Sequence, residues 1–216
     1  MFEDLKKQFE TYFLCLSHPY KFHSSLRFDV PFLNDYSEKL EPLSFPMALS
    51  ISWFFSILRG LGKILILNLL IQSLLEIHLE ELPIIGEILQ ETSISAYSFL
   101  ILSSSLDIIF FPVGLMIATE FWTWVIKKFA DYIDPTQDNA KISHEITTHA
   151  LTSNAFIFLP FIGDFIQLYT YVFLLYVGLR VNLGVSRSLA SVILLTPLLI
   201  GVMIFSLVSL GLFYLI

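Results

Sequence analysis

The sequence predicts an all-α integral membrane protein: five transmembrane helices, N-terminus cytoplasmic, C-terminus outside, with an amphipathic N-terminal helix ahead of the first crossing. Three observations carry this. First, 56% of the residues are hydrophobic and only 14% charged, with a mean hydropathy of +0.75; soluble domains run at about 45–50% apolar and 25% charged. Second, five apolar stretches approach the roughly 20 residues that a crossing needs. Third, the pieces between them alternate in charge. Lys6, Lys7, Lys21, Arg27 and Lys39 precede the first stretch, and the linker from Glu76 to Ala96 has five glutamates and no Lys or Arg. Lys127, Lys128 and Lys141 fill the next loop, the turn around Asp164 has no basic residue, and Arg180 and Arg187 flank the turn after it. Loops rich in Lys and Arg stay in the cytoplasm.

Residues 1–42 read as a cytoplasmic tail and 43–216 as the membrane domain. In the tail, Phe2, Leu5, Phe9, Tyr12, Phe13 and Leu16 recur at helical spacing until Pro19 ends the run. This stripe is expected to contact the inner membrane surface through Phe2, Leu5, Phe9, Tyr12 and Phe13, or to dock on the bundle's own cytoplasmic face, since its charge is mixed. Residues 23–42 read as an irregular connector.

The first apolar stretch, Leu43 to Leu75, is too long for one straight crossing and contains Arg59-Gly60-Leu61-Gly62-Lys63. Either the span begins near Leu43, which puts Arg59 at the depth of Asp107, or it begins near the glycines, which brings Arg59 or Lys63 to Glu120. The distribution of basic residues favours the second. Glu76 to Glu91 reads as a short acidic helix in the outer interface, interrupted at Pro83. The second span, Tyr97 to Ile126, has Trp122 and Trp124 beside Lys127 and Lys128 as an interfacial belt, and Pro112 should kink it. The third segment, Ser143 to Ile162, starts polar. With the fourth it either crosses or forms a re-entrant hairpin tipped by Pro160-Phe161-Ile162-Gly163; two crossings fit the lengths and Asp164 better. Leu189 to Ile216 is the fifth, bent at Pro197.

Three groups of residues carry a family resemblance: Leu16-Ser17-His18-Pro19-Tyr20-Lys21-Phe22; Thr148-His149-Ala150-Leu151 with Pro160-Phe161-Ile162-Gly163, Tyr169 and Gly178-Leu179; and Arg187-Ser188-Leu189-Ala190. On these the chain resembles the Yip1-domain family, five-span membrane proteins with cytoplasmic N-termini. The first group is similar to the proline-containing segment that opens prokaryotic members, the second to the family's third and fourth spans, and the third to the entry into its last span. The resemblance implies a scaffold that works through protein and lipid contacts, here in a bacterial inner membrane, with no catalytic residues. The tail lacks the Asp-Leu-Tyr-Gly-Pro stretch of eukaryotic members, so their binding to Rab-type GTPases is not carried over.

Chemistry-bearing residues are few. His144-Glu145-Ile146-Thr147-Thr148-His149 approaches a zinc-protease helix, but the histidines are five apart, about 140° round a helix, where that chemistry needs four. Arg59-Gly60-Leu61-Gly62-Lys63 lacks the first glycine and the Ser/Thr of a phosphate loop, leaving its glycines as hinge or close-packing positions. Arg59, Lys63, Asp107, Glu120, His144, Glu145 and His149 are candidate intramembrane polar or ion-pair sites, because a charge in hydrocarbon costs at least about 2.5–3.5 kcal/mol and is usually paired or functional. The net charge of −7 argues against nucleic acid. The lone Cys15 excludes an internal disulfide. No enzymatic activity and no cofactor are expected. Partners should be lipids, other membrane proteins or a second copy; the alternative is a small transporter or channel subunit using the acidic and histidine residues.

Overall fold

The computed structural model describes residues 2–28, 42–79, 83–160 and 162–215, without the side chains of 2–5, 71, 74–96, 100 and 208–215. Among the described residues there are seven α-helices, one long 3-10 segment and no strand. In order they are α1 (Phe2–Ser17), α2 (Pro19–Phe28), α3 (Phe45–Leu79), α4 (Pro83–Ile133), α5 (Asn139–Ala150), the 3-10 segment (Leu151–Phe158), α6 (Gly163–Asn182) and α7 (Arg187–Leu215). Three stretches are long and apolar enough to cross a membrane: Phe45–Leu70, Tyr97–Ile133 and Arg187–Leu207. The chain is therefore an all-helical membrane protein with three helices of spanning character. The segments expected as third and fourth spans are helical too. Asp164, Gln167, Arg180 and Asn182 dilute the hydropathy of α6, and α5 ends after 12 residues where the 3-10 segment takes over.

The tail differs from expectation. α1 does end just before Pro19, at Ser17, but helix resumes at once: Pro19 occupies the first position of α2, where its missing N–H costs nothing. The helix then runs to Phe28 through residues that read as a connector, because Phe22, His23 and Ser25 bury one face of it, and packing overrides weak propensity. Pro83 likewise opens α4, so the chain from there to the second span is one helix rather than a separate short one. The described helices continue through Pro112 and Pro197.

Among the described residues the buried apolar side chains gather in two clusters. Val125 and Ile126 of α4, Ile146 and Ala150 of α5, Leu174, Leu175 and Leu179 of α6, and Ala190 and Ile193 of α7 form one cluster. Tyr12 of α1, Ala48, Ile51 and Phe55 of α3, and Leu151, Ala155 and Ile157 of the 3-10 segment form the other. Outside these clusters the long helices turn apolar faces outwards: Leu61, Leu65 and Leu69 on α3, Phe99, Ile109 and Ile117 on α4, Leu198 and Phe205 on α7.

Gly178 sets the closest approach between α5 and α6. A Cβ there would lie 2.7 Å from Ile146 Cγ2, and Ile146 is fully buried and stiff at χ1. Gly178→Ala will therefore destabilise the bundle by ~1–3 kcal/mol through overpacking, read as a lower melting temperature in detergent. Ile146→Val in the same chain should not recover it, because valine keeps Cβ and both Cγ atoms, the atoms that the added Cβ would meet.

The 3-10 segment, Leu-Thr-Ser-Asn-Ala-Phe-Ile-Phe, is longer than such helices usually run. Its side chains compete for backbone groups: Thr152 Oγ1 donates to the His149 carbonyl at 2.8 Å. Two outside donors reach the Leu151 carbonyl, Tyr12 Oη at 3.1 Å and Ser52 Oγ at 3.2 Å. The segment is thus held by groups from α1 and α3 as well as by its own backbone.

Candidate functional site

Two polar regions stand out. The first is a layer of charge where α3, α4 and α6 meet. Arg59 and Lys63 lie one turn apart on α3. Lys63 Nζ is 3.8 Å from Asp107 Oδ2 on α4, and Arg59 Nη2 donates to Asp164 Oδ2 at the start of α6, at 2.5 Å. Gly60 brings the two long helices together: a Cβ there would meet Ile108 Cδ1 at 2.6 Å. Gly62 has open space around it, so of the two glycines only Gly60 is a close-packing position. Trp53 Nε1 fixes the same register by donating to the Ile108 carbonyl at 2.8 Å. Of the two registers open to α3 and α4, the structure has the one that puts Arg59 at the depth of Asp107. Glu120 is exposed on α4, 13 residues or about 20 Å further along it, and does not join the layer.

Cavities open on two sides of these cations, each of ≈ 460 Å³. One, between α3 and α4, is lined by Ser56, Arg59, Lys63, Ser104, Asp107 and Phe111 among others. The other runs from Arg59, Lys63 and Asp164 along Leu67 and Leu70 to Pro160. Ser104 is 2% exposed, and its Oγ has no hydrogen-bond partner.

The second region is a buried polar seam under the tail. Asn154 Nδ2 donates to Ser52 Oγ at 3.1 Å, Gln167 Nε2 donates to Asn154 Oδ1 at 3.2 Å, and Tyr12 Oη is 3.5 Å from Ser52 Oγ. One chain of contacts therefore joins α1, α3, the 3-10 segment and α6. Beside it the Cys15 thiol donates to the His149 carbonyl at 3.7 Å. Burial pushes that thiol up to about 12, which leaves it un-ionised and unreactive at neutral pH. Arg27 anchors the other end of the tail by donating to the Val181 carbonyl.

His23 of α2 and His149 of α5 meet inside this region with ring centroids 5.0 Å apart and Phe22 packed against both. Both are fully buried, and none of their four ring nitrogens has a hydrogen-bond partner. Burial holds His23 well below the usual range, at about 4. Asn182 faces it and favours the protonated form, yet the contact falls short of a hydrogen bond. The His23 imidazole is therefore neutral at physiological pH, in an environment that penalises charge.

The remaining candidates separate. His144 is half-buried against Phe45, at 5.3 Å between ring centroids, while His149 faces α2; the two do not converge. Glu145 lies 4.0 Å from Lys141. Of the aromatic stripe, Tyr12 is fully buried and Phe9 packs on the second core cluster, so both face protein rather than a membrane surface. Phe13 remains exposed, and the side chains of Phe2 and Leu5 lie outside the described residues. Sequence reading missed His23, Ser52, Asn154 and Gln167. Gln167 was visible as a lone polar residue in an apolar stretch, and Ser52 and Asn154 as members of the polar sets Ser50/Ser52/Ser56 and Thr152-Ser153-Asn154 inside apolar runs.

No protein-family model, curated protein or solved structure matches the chain.

Proposed function

We propose that this protein is a non-enzymatic multi-pass membrane scaffold or adaptor of the Yip1 type, with five spans and a cytoplasmic N-terminus, acting through protein and lipid contacts. Spacing supports the five spans. At 1.5 Å per residue, Phe45 to Lys63 covers about 27 Å, Asp107 to Lys127 about 30 Å, and Asp164 to Arg180 about 24 Å. Each interval has charge at its ends or just beyond and approximates the ≈ 30 Å hydrocarbon core. In this reading α5 with the 3-10 segment, and α6, cross together with α3, α4 and α7.

One observation carries the scaffold reading. Beyond the Lys63–Asp107 level, α3 and α4 continue as an arm with exposed Leu65, Leu69, Leu70, Phe99 and Leu102. An exposed apolar surface of that kind marks an interaction site, and with the hydrocarbon core ending at the Lys63–Asp107 level, as proposed here, it lies past the layer that lipid tails would cover. Photo-crosslinkers at Leu65 and Leu102 in native membranes should give discrete protein adducts; lipid adducts alone would sink the reading. Topology has its own test. A cysteine at Gln90 should react with an impermeant thiol reagent from outside and one at Gln137 should not; reversed labelling overturns the orientation, and labelling of both overturns the span count. The transporter alternative draws on the cavity beside Arg59, Lys63 and Asp107. It requires ion or solute flux in reconstituted vesicles that Asp107→Asn abolishes.

A further inference from the structure

We infer that the cavity between α3 and α4 beside Arg59 and Lys63 binds one phospholipid with a zwitterionic, amine-bearing headgroup. Arg59 and Lys63 stand at i and i+4 and present two cations to one volume, which suits a phosphate: guanidinium and ammonium groups are its usual partners. Arg59 is held by Asp164 at 2.5 Å, whereas Lys63 is paired only loosely and can turn to a ligand. Its 3.8 Å separation from Asp107 is well beyond the ≈ 2.7–2.9 Å of a tight charge-assisted hydrogen bond. The Ser104 hydroxyl, buried, unpartnered and lining the same cavity, supplies a further donor whose burial is otherwise uncompensated.

Two features choose a lipid over a free anion, and one headgroup over another. Leu106, Phe110 and Phe111 form an apolar wall to the cavity, able to take an acyl chain. The volume of ≈ 460 Å³ falls in the range of small-molecule sites. Asp107 lines the cavity with its side chain 70% exposed; it attracts an ammonium group and repels a second negative charge, while Asp164 lies in the second cavity as the partner of Arg59. A phosphate followed by a primary amine, whose N–H groups can donate to the Asp107 carboxylate as a fully methylated ammonium cannot, therefore matches the site, and a purely anionic headgroup does not. The inference rests on the membrane placement proposed above and is independent of partner recruitment.

The test uses the full-length protein, purified in mild detergent, stripped of lipid and offered phosphatidylethanolamine, phosphatidylcholine and phosphatidylglycerol at equal concentration, with bound lipids counted by native mass spectrometry. One phosphatidylethanolamine should be retained, about fivefold or more over either competitor, a difference of ~1 kcal/mol. Lys63→Gln should weaken retention about tenfold or more, as loss of a charge-assisted contact does. Ser104→Ala should weaken it about threefold or more, and Asp107→Asn should shift the preference towards phosphatidylglycerol. Lys63 is half exposed and Ser104→Ala deletes one atom, so an unchanged melting temperature separates lost binding from lost folding. Equal retention of the three lipids, undiminished retention in Lys63→Gln, or displacement by inorganic phosphate or soluble glycerophosphoethanolamine would overturn the inference. Failure of the protein to insert into vesicles would instead count against its membrane placement.

Discussion

Tyr12→Ala will release α1 from the bundle. Tyr12 is fully buried, donates to the Leu151 carbonyl, and packs at 6.3 Å between ring centroids from Phe55. Removing an aromatic side chain from such a site costs ~3–5 kcal/mol, a sum comparable to the whole stability of many domains, and it also leaves the Ser52 and Leu151 groups a partner short. Cys15, one turn on, reports the outcome. In the parent protein its thiol is buried and stays un-ionised, so a maleimide should modify it slowly; in Tyr12→Ala it should react at the rate of an exposed cysteine. Tyr12→Phe keeps the packing and loses only the hydrogen bond, ~1 kcal/mol, and should leave Cys15 protected. Rapid labelling of the parent protein, or continued protection in Tyr12→Ala, would show that α1 is not held as described.

Acid will loosen the same tail through His23. The docked state holds this imidazole at about 4, against about 6.5 for a free one. Between those values the released tail binds more protons than the docked one, so docking is strongest above about pH 6.5, weakens as pH falls, and loses nothing more from this group below about 4. The full difference is roughly 3 kcal/mol. Hydrogen exchange across residues 8–25, corrected for intrinsic pH dependence, should rise between pH 6.5 and 4. His23→Leu should flatten that rise. The charge that acid creates would stand 5.0 Å from the His149 ring and beside Asn182, without a hydrogen bond to either. A parent protein whose exchange is flat across the window would refute the prediction.

Much of the architecture was legible because it follows from one-dimensional patterns. Hydropathy located the long helices, and antiparallel arithmetic allowed Arg59 to lie at the depth of Asp107, the register that Gly60 and Ile108 enforce. The distribution of basic residues pointed to the other register. It weighs charges singly, whereas Arg59 and Lys63 are matched by Asp164 and Asp107, and Asp164 comes from a helix a hundred residues away. His23 was illegible for a related reason. Nothing in Pro-Tyr-Lys-Phe-His-Ser-Ser-Leu-Arg-Phe favours a helix strongly; the burial of Phe22 and His23 makes one, and burial depends on α5 and α6. The histidine spacing in α5 did separate His144 from His149 correctly, since that is a property of the helix alone. It could not say what each would touch.

The contact between Tyr12 and Leu151 joins residues 139 positions apart, and this has a consequence for biosynthesis. The tail leaves the ribosome well before its docking surface is complete: the part from α3 follows early, the part from the 3-10 segment only after α4 and α5. At about 5–20 residues per second, α1 waits roughly 7–28 seconds for the 3-10 segment to be translated, and longer for its insertion. Throughout that interval Tyr12 and Phe13 have only α3, through Ser52 and Phe55, to pack against outside the tail. The side of α1 that the finished fold buries against the 3-10 segment is thus available to the membrane surface or to chaperones during synthesis, and a nascent chain arrested before residue 150 would display it.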